Sequence, residues 1–185
     1  MVDQKKRKIV WYGPAYTYSG GSLEANEAWY PELTKLVTWL HVELGLPLFN
    51  SGLVNFYESG HVNIPWHADD ETELGPNPTI ASISLGATRE LAIRSKQSKN
   101  IVFKQPLESG SLLVMSGATQ KYFEHSIYKD PKVKDIRVNL TFRMTSENLV
   151  SESPAPSLNP CVRQSQDLIT PTDNPTDDQS HLLRP

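Results

Sequence analysis

Apolar and polar residues alternate most regularly over residues 135–145, which read DIRVNLTFRMT. Because successive side chains of a β-strand point to opposite faces of a sheet, this pattern predicts a strand with one apolar and one polar face. Arg137 and Arg143 both fall on the polar face. From periodicity alone, a solvated outer face is the simplest interpretation of these polar positions.

Further short segments upstream have the same strand character, and turn residues such as Gly86 and Ser109-Gly110 separate them. Several short strands at this spacing are typical of a sandwich, a jelly roll or a barrel rather than of alternating strands and helices. The predicted strands are residues 53–58, 79–85, 90–94, 100–104, 111–115 and 136–144.

One helix is predicted, beginning near Pro31, because proline suits a first helical turn. Its apolar residues follow helical spacing, and Gly45 with Pro47 ends it. A single apolar stripe indicates a helix that lies against the outside of a sheet. The stripe consists of Leu33, Leu36, Val37, Leu40 and Leu44.

The chain of 185 residues, 38% of them hydrophobic, is expected to form one core with additional segments at its ends. We divide it into a basic and aromatic segment (1–22), a core (23–147) and a tail (148–185). The tail is rich in Pro, Ser and Asp and is predicted to be disordered. The aromatic residues of the first segment could pack on an edge strand, or could offer faces on which nucleobases stack.

Charge and composition restrict the class of protein. No apolar run is long enough to span a bilayer, and no secretory signal is visible. With Cys161 as its single cysteine, the chain cannot form an internal disulfide. We therefore expect an intracellular protein, nuclear or cytoplasmic, that is not secreted, has no membrane partner and is monomeric. The net charge of −3 arises from the tail, while basic residues cluster upstream, where they could follow a phosphate backbone or simply be solvated.

Candidate chemistry begins with His67-Ala68-Asp69. In an extended segment the two outer side chains point the same way and could bind one metal ion. His125, after another strand and a turn, could supply a third ligand, and two histidines with one carboxylate are typical of non-haem Fe(II) oxygenases. Local hydrogen bonding of these histidines is the alternative interpretation, and it is the one we prefer for His41, His61 and His181.

The two arginines suggest a co-substrate. A guanidinium binds a carboxylate through two parallel hydrogen bonds, so Arg137 and Arg143 could hold the two ends of a short dicarboxylate. Asn55 and Tyr57 share one face of their predicted strand and could add hydrogen-bond donors.

Together these motifs resemble the AlkB family of Fe(II)- and 2-oxoglutarate-dependent dioxygenases. The resemblance covers roughly residues 9–145 and implies a mostly β fold with a flanking helix, in which the core is a double-stranded β-helix (a cupin-like jelly roll). The motifs are Asn55-Phe56-Tyr57, the run from His67 to Glu71, His125-Ser126, and RVNLTFR at residues 137–143.

The resemblance also implies roles for individual residues. Fe(II) would be bound by His67, Asp69 and His125. The catalytic residues would be Asp69 and Arg143. The distal carboxylate of 2-oxoglutarate would pair with Arg137, and its metal-bound carboxylate would lie near Arg143. Asn55 and Tyr57 would hydrogen-bond the co-substrate, and Asn139 would help to fix the pocket.

The implied activity is oxidative demethylation of bases such as 1-methyladenine and 3-methylcytosine in DNA or RNA. O₂ and 2-oxoglutarate would be consumed, and succinate, CO₂ and formaldehyde released. Glu71 would read the damaged base, with Asp70 a weaker candidate, while Tyr16 or Tyr18 in a lid would stack on it. Only ten residues precede Trp11, so the apolar wedge of the duplex-repair branch is expected to be absent and single strands to be preferred.

Three other interpretations remain open. The domain could hydroxylate a protein or a small molecule, because the iron and 2-oxoglutarate machinery does not determine what is bound above it. It could be an inactive nucleic-acid-binding module that keeps the fold. It could hold structural zinc, although Arg137 and Arg143 would then have no role.

Overall fold

The computed structural model describes residues 7–18, 21–145 and 161–163. A 3₁₀ turn, Thr72–Leu74, lies between the fifth and sixth strands. The helices are α1 (Pro31–Leu44) and α2 (Thr119–Tyr122). The strands are β1 (Lys8–Tyr12), β2 (Tyr16–Tyr18), β3 (Gly21–Leu23), β4 (Ser51–Tyr57), β5 (Ile64–His67), β6 (Ile80–Gly86), β7 (Arg89–Ser95), β8 (Ile101–Leu107), β9 (Leu112–Met115), β10 (Phe123–Ile127), β11 (Arg137–Arg143) and β12 (Cys161–Arg163).

Two antiparallel sheets form the body of the protein. The larger sheet has the order β1-β4-β11-β6-β9-β12, and the smaller has the order β5-β10-β7-β8. From β4 to β11 the chain passes back and forth between the two sheets, which is the topology of a jelly roll. The predicted fold class is therefore confirmed.

An apolar core fills part of the space between the sheets. The larger sheet contributes Leu113 and Met115, and the smaller sheet contributes Leu91, Ile93 and Ile127. The inward side chains of both sheets therefore form one layer, as in a sandwich.

A second core lies on the other face of the larger sheet, where α1 packs. Val37 and Leu40 of the helix contact the cluster that contains Ala81, Leu140 and Phe142. The helix ends at Gly45, whose φ of 64° is left-handed and whose N–H is directed at the carbonyls of Leu40 and His41. The predicted helix, its end and its position outside the sheet are confirmed.

Strand β11 lies at the centre of the larger sheet, between β4 and β6. Its apolar residues pack beneath α1, and its polar residues point between the two sheets. Arg137 is 2% exposed and Arg143 is 5% exposed, so the solvated-face interpretation of this strand is wrong. The smaller sheet covers this polar face, which would otherwise be exposed to solvent.

The boundary that the sequence suggested at residue 22 does not coincide with a break in strand pairing. Strand β1 pairs with β4 and belongs to the larger sheet, while β2 and β3 form a separate two-stranded sheet that crosses the predicted boundary. An unpaired edge of β4 exposes backbone N–H and C=O groups, and β1 satisfies them. Within the tail predicted to be disordered, Cys161–Arg163 forms a strand on the edge of β9, and the rest of that tail lies outside the described residues.

In the described part of the chain, no helix is long and apolar enough to cross a membrane.

Packing of α1 on the sheet predicts an asymmetry between the two sides of the helix. Leu40 is fully buried, whereas Val42, two residues later, is 67% exposed. We expect Leu40→Ala to lower the free energy of unfolding by about 2–5 kcal/mol, because it removes buried methyl groups and leaves a cavity. Val42→Ala should change it by less than about 0.5 kcal/mol. Urea unfolding followed by circular dichroism measures both, and equal effects would contradict the assigned packing.

Candidate active site

A cavity of about 280 Å³ opens between the two sheets. The inward-pointing residues of β4, β10 and β11 line it, together with the end of β5 and the loop that follows. All the residues predicted for metal and co-substrate line this cavity, namely Asn55, Tyr57, His67, Asp69, His125, Arg137, Asn139 and Arg143.

His67 and His125 are directly opposite each other on the antiparallel strands β5 and β10. Their ring centroids are 4.2 Å apart. The Nδ1 atom of His67 lies 2.9 Å from the carbonyl oxygen of Pro65. Because a carbonyl can only accept, Nδ1 carries the proton in this bond and leaves the Nε2 of a neutral ring with a free lone pair.

His125 is buried and held in its neutral form. Burial lowers its pKa to about 3, with His67 and Arg143 acting in the same direction against Asp69. A neutral imidazole at physiological pH retains the lone pair that metal binding requires.

Asp69 is fixed at two points just beyond the end of β5. Its backbone N–H donates to Oε1 of Gln120 at 2.9 Å, and its Oδ1 accepts from Nη2 of Arg143 at 2.9 Å. Burial by itself would raise the pKa of this carboxyl, but Arg143 and the two histidines hold it well below its usual range. The carboxylate is therefore ionised despite being buried.

Two imidazoles, of which His125 is held neutral by burial, and an ionised carboxylate on one cavity wall suit a divalent metal ion with open coordination positions. Among the residues that the structure describes, no three His, Cys, Asp or Glu side chains already close around one point. One oxygen of Asp69 is directed at Arg143 instead. The donor set fits a divalent metal in its chemistry, and Oδ1 of Asp69 also accepts a hydrogen bond from Arg143.

Arg137 lies almost fully buried at another part of the cavity wall. Its Nη2 donates to Oγ of Ser84 at 2.9 Å, and its guanidinium lies 4.9 Å from the centroid of the Tyr57 ring. Burial lowers its pKa, and Tyr57 opposes that effect. Within the described part of the chain, its Nε and Nη1 have no hydrogen-bond partner. Buried N–H groups of a cation are costly to leave unpaired, so this arrangement indicates a place for an anion.

Asn139 is the centre of a polar network on the same wall. Its Nδ2 donates to Oγ of Ser82 at 2.8 Å, and its Oδ1 accepts from Thr141 at 2.8 Å and from Asn55 at 3.4 Å. These bonds fix the side-chain amide groups of Asn139 and Asn55. The Oδ1 of Asn55 remains buried without a partner in the described structure.

The residues predicted to bind substrate separate into two groups. Glu71 and Tyr16 line the cavity, and Tyr16 stacks on Trp11 with ring centroids 4.9 Å apart. Burial raises the pKa of Tyr16, Arg143 opposes this, and a hydrogen bond to Glu71 adds to it. Oε2 of Glu71 is buried, and the described residues offer it no partner. Asp70 does not line the cavity, because it is exposed and pairs with Nζ of Lys96 at 2.6 Å. The side chain of Tyr18 lies outside the described residues.

Sequence reasoning missed several residues that hold the site together. Ser82 and Ser84 bond to Asn139 and Arg137, and Gln120 bonds to Asp69. Small polar residues at alternate positions of a predicted strand were the available signal for the two serines. No pattern in the sequence marks Gln120, since its partner is 51 residues away along the chain.

Comparisons with known proteins agree with this geometry. Residues 1–143 match the 2OG-Fe(II) oxygenase superfamily. The alpha-ketoglutarate-dependent dioxygenase alkB homolog 3 of Homo sapiens is 40% identical over 149 residues, which cover 76% of this chain and 52% of the relative. The DNA oxidative demethylase ALKBH2 of Homo sapiens is 40% identical over 147 residues, which cover 74% of this chain and 56% of the relative.

The chain thus spans about half the length of the curated relatives that it matches. The solved structure of OsALKBH1 superimposes with a TM-score of 0.51 at 24% identity, covering 75% of this chain and 78% of that one, which shows a shared fold. The resemblance carried by the motifs is confirmed by these matches, and the chain belongs to the 2OG-Fe(II) oxygenase superfamily, among its AlkB-type members.

Proposed function

We propose that this protein is an Fe(II)- and 2-oxoglutarate-dependent dioxygenase that demethylates N-alkylated nucleobases such as 1-methyladenine and 3-methylcytosine. The main support is one cavity that combines metal donors, two arginines and an unpartnered carboxylate oxygen. An N-methyl group, O₂ and 2-oxoglutarate would give the free base nitrogen, formaldehyde, succinate and CO₂.

His67, Asp69 and His125 would hold the iron. When bound, Fe(II) supplies the activation of O₂ that this oxidation requires, a reaction that protein side chains cannot perform. The contribution of the chain is to keep His125 neutral by burial and Asp69 ionised through Arg143. These protonation states are the ones in which both residues can donate electron pairs to a metal.

The two arginines have separate roles in this proposal. Arg137 would pair with the distal carboxylate of 2-oxoglutarate through its unpartnered Nε and Nη1. Arg143 keeps one N–H on Asp69, and its own unpartnered Nε and Nη1 would serve the carboxylate nearest the metal. Asn55 and Tyr57 would bond the co-substrate from the neighbouring strand, while Asn139 holds Asn55 in place.

Glu71 would recognise the methylated base. Bases of this type carry a positive charge, and the buried Oε2 of Glu71 can accept from an exocyclic amine. Tyr16 holds the same carboxylate by a hydrogen bond and presents an aromatic wall to the cavity. Asp70 is left out of this proposal because its carboxylate pairs with Lys96 outside the cavity.

We further propose that single-stranded DNA or RNA is the preferred substrate. A base inside a duplex cannot reach a cavity between two sheets without being flipped out, whereas an unpaired base carries no such cost. A monomeric state and an intracellular location, nuclear or cytoplasmic, stay predictions.

The central prediction concerns turnover. Incubation of a single strand that contains 3-methylcytosine with Fe(II), ascorbate, O₂ and 2-oxoglutarate should release formaldehyde and leave unmodified cytosine in the strand, as measured by mass spectrometry. His125→Ala should lower the rate by more than about 100-fold, since loss of a group that merely orients a metal ligand already costs about 10–100-fold. His61→Ala, which alters an exposed histidine outside the cavity, should leave it unchanged. Succinate formation without loss of methyl groups from any nucleic acid would instead favour a protein or small-molecule hydroxylase.

A second prediction separates co-substrate binding from nucleic-acid binding. Arg137→Ala should raise the KM for 2-oxoglutarate by about 10–100-fold, because hydrogen bonds to a charged group are worth about 1.5–3 kcal/mol. Affinity for the methylated oligonucleotide, measured by fluorescence anisotropy, should stay within about twofold. Arg94→Ala removes a guanidinium outside the cavity and serves as the control. A parallel loss of both affinities would contradict the role assigned to Arg137.

A third prediction concerns strand preference. The same methylated oligonucleotide should be repaired about tenfold faster or more as a single strand than as a duplex, because unpairing costs a few kcal/mol. Placing the methylated base in an unpaired overhang of the duplex should restore the single-strand rate. Faster repair of the fully paired duplex would overturn the preference.

A further inference from the structure

Gln120 contacts this site, and the proposed function gives it no role. It lies on α2, the residue is 1% exposed, and it is not among the residues that line the cavity. Its Oε1 accepts the backbone N–H of Asp69 at 2.9 Å, and its Nε2 lies 3.6 Å from Sδ of Met115. The carbonyl oxygen of a buried side-chain amide therefore accepts its hydrogen bond from the backbone of one acidic residue.

The bond falls at a point where the regular sheet pairing has ended. Strand β5 ends at His67, so Asp69 lies in a loop beyond the β5–β10 ladder. Gln120 supplies the partner for the Asp69 N–H, which would otherwise be a buried donor without a bond. The direction of the Asp69 side chain depends on this backbone position.

The same segment of chain also carries His125. Helix α2 runs directly into β10, so Gln120 and His125 are five residues apart. The β5–β10 ladder fixes His125 against His67, and Gln120 fixes Asp69 against the start of the same segment. All three donors are thereby tied to one continuous piece of chain.

We infer that Gln120 is a positioning residue that sets the orientation of Asp69 toward the metal. Gln120 acts through the Asp69 backbone and touches neither metal nor substrate. This inference rests on the metal centre of the proposed function, and its test separates the two.

The test is binding of Mn(II) alone to the purified full chain, measured by the electron paramagnetic resonance signal of free Mn(II). Gln120→Met keeps the length and burial of the side chain and removes the acceptor. We expect it to weaken Mn(II) binding by about 10–100-fold, the usual effect of losing a group that orients a metal ligand. Lys121→Met, the same replacement at the exposed next residue of the helix, should leave the affinity unchanged.

The outcomes are distinguishable. If the parent protein does not bind Mn(II), or if His125→Ala binds it equally well, the proposed metal centre fails. If the parent binds and Gln120→Met binds within about twofold of it, only the positioning role fails. Thermal unfolding without metal shows whether each variant is folded. Should Gln120→Met not fold, Gln120→Asn, which is one methylene too short for the bond, is measured in its place, with the same weakening expected. Failure of both variants to fold would overturn the positioning role in favour of a purely structural one.

Discussion

The ion pair between Asp69 and Arg143 is the interaction on which the arrangement of the site depends. Asp69 lies two residues beyond the end of β5 in the smaller sheet, and Arg143 is the last residue of β11 in the larger sheet. Their 2.9 Å contact therefore connects the two sheets across the cavity. Two charges removed from water are tolerated only when they are paired, so the separation of the sheets and the charge states of both residues are coupled.

The alternation of strand β11 makes this pairing possible. Leu140 and Phe142 anchor the strand beneath α1, and Arg137, Asn139 and Arg143 are then obliged to point into the space between the sheets. A shift of one residue in register would place the arginines under the helix and expose the apolar residues to the cavity. The outer core thus fixes the orientation of the inner polar wall.

The polar wall is held by its neighbours but is not satisfied by them. Ser84 engages only one nitrogen of Arg137, and in the described structure polar atoms of Arg143, Asn55 and Glu71 also remain buried without partners. Such groups lower stability, and proteins rarely retain them unless a bound molecule completes their hydrogen bonds. The two apolar cores provide the rigidity that lets the cavity keep them oriented.

Which residues share a face could be predicted from the amino-acid sequence, because strand and helix periodicities are local. Those periodicities predicted the helix at Pro31 and the two faces of β11. Recognisable motifs singled out His67, Asp69 and His125, which line one cavity in the structure. Strand β10 was not predicted, because His125 occupies an inward position where an apolar residue would have given the alternation typical of a strand. Long-range contacts of the folded chain were needed to show that Asp70 pairs with Lys96 outside the cavity that Glu71 lines. They also place β1 on the edge of β4 and bring Gln120 to Asp69. These contacts join residues that are distant in sequence or differ only in the direction of a loop, and no periodicity encodes either property.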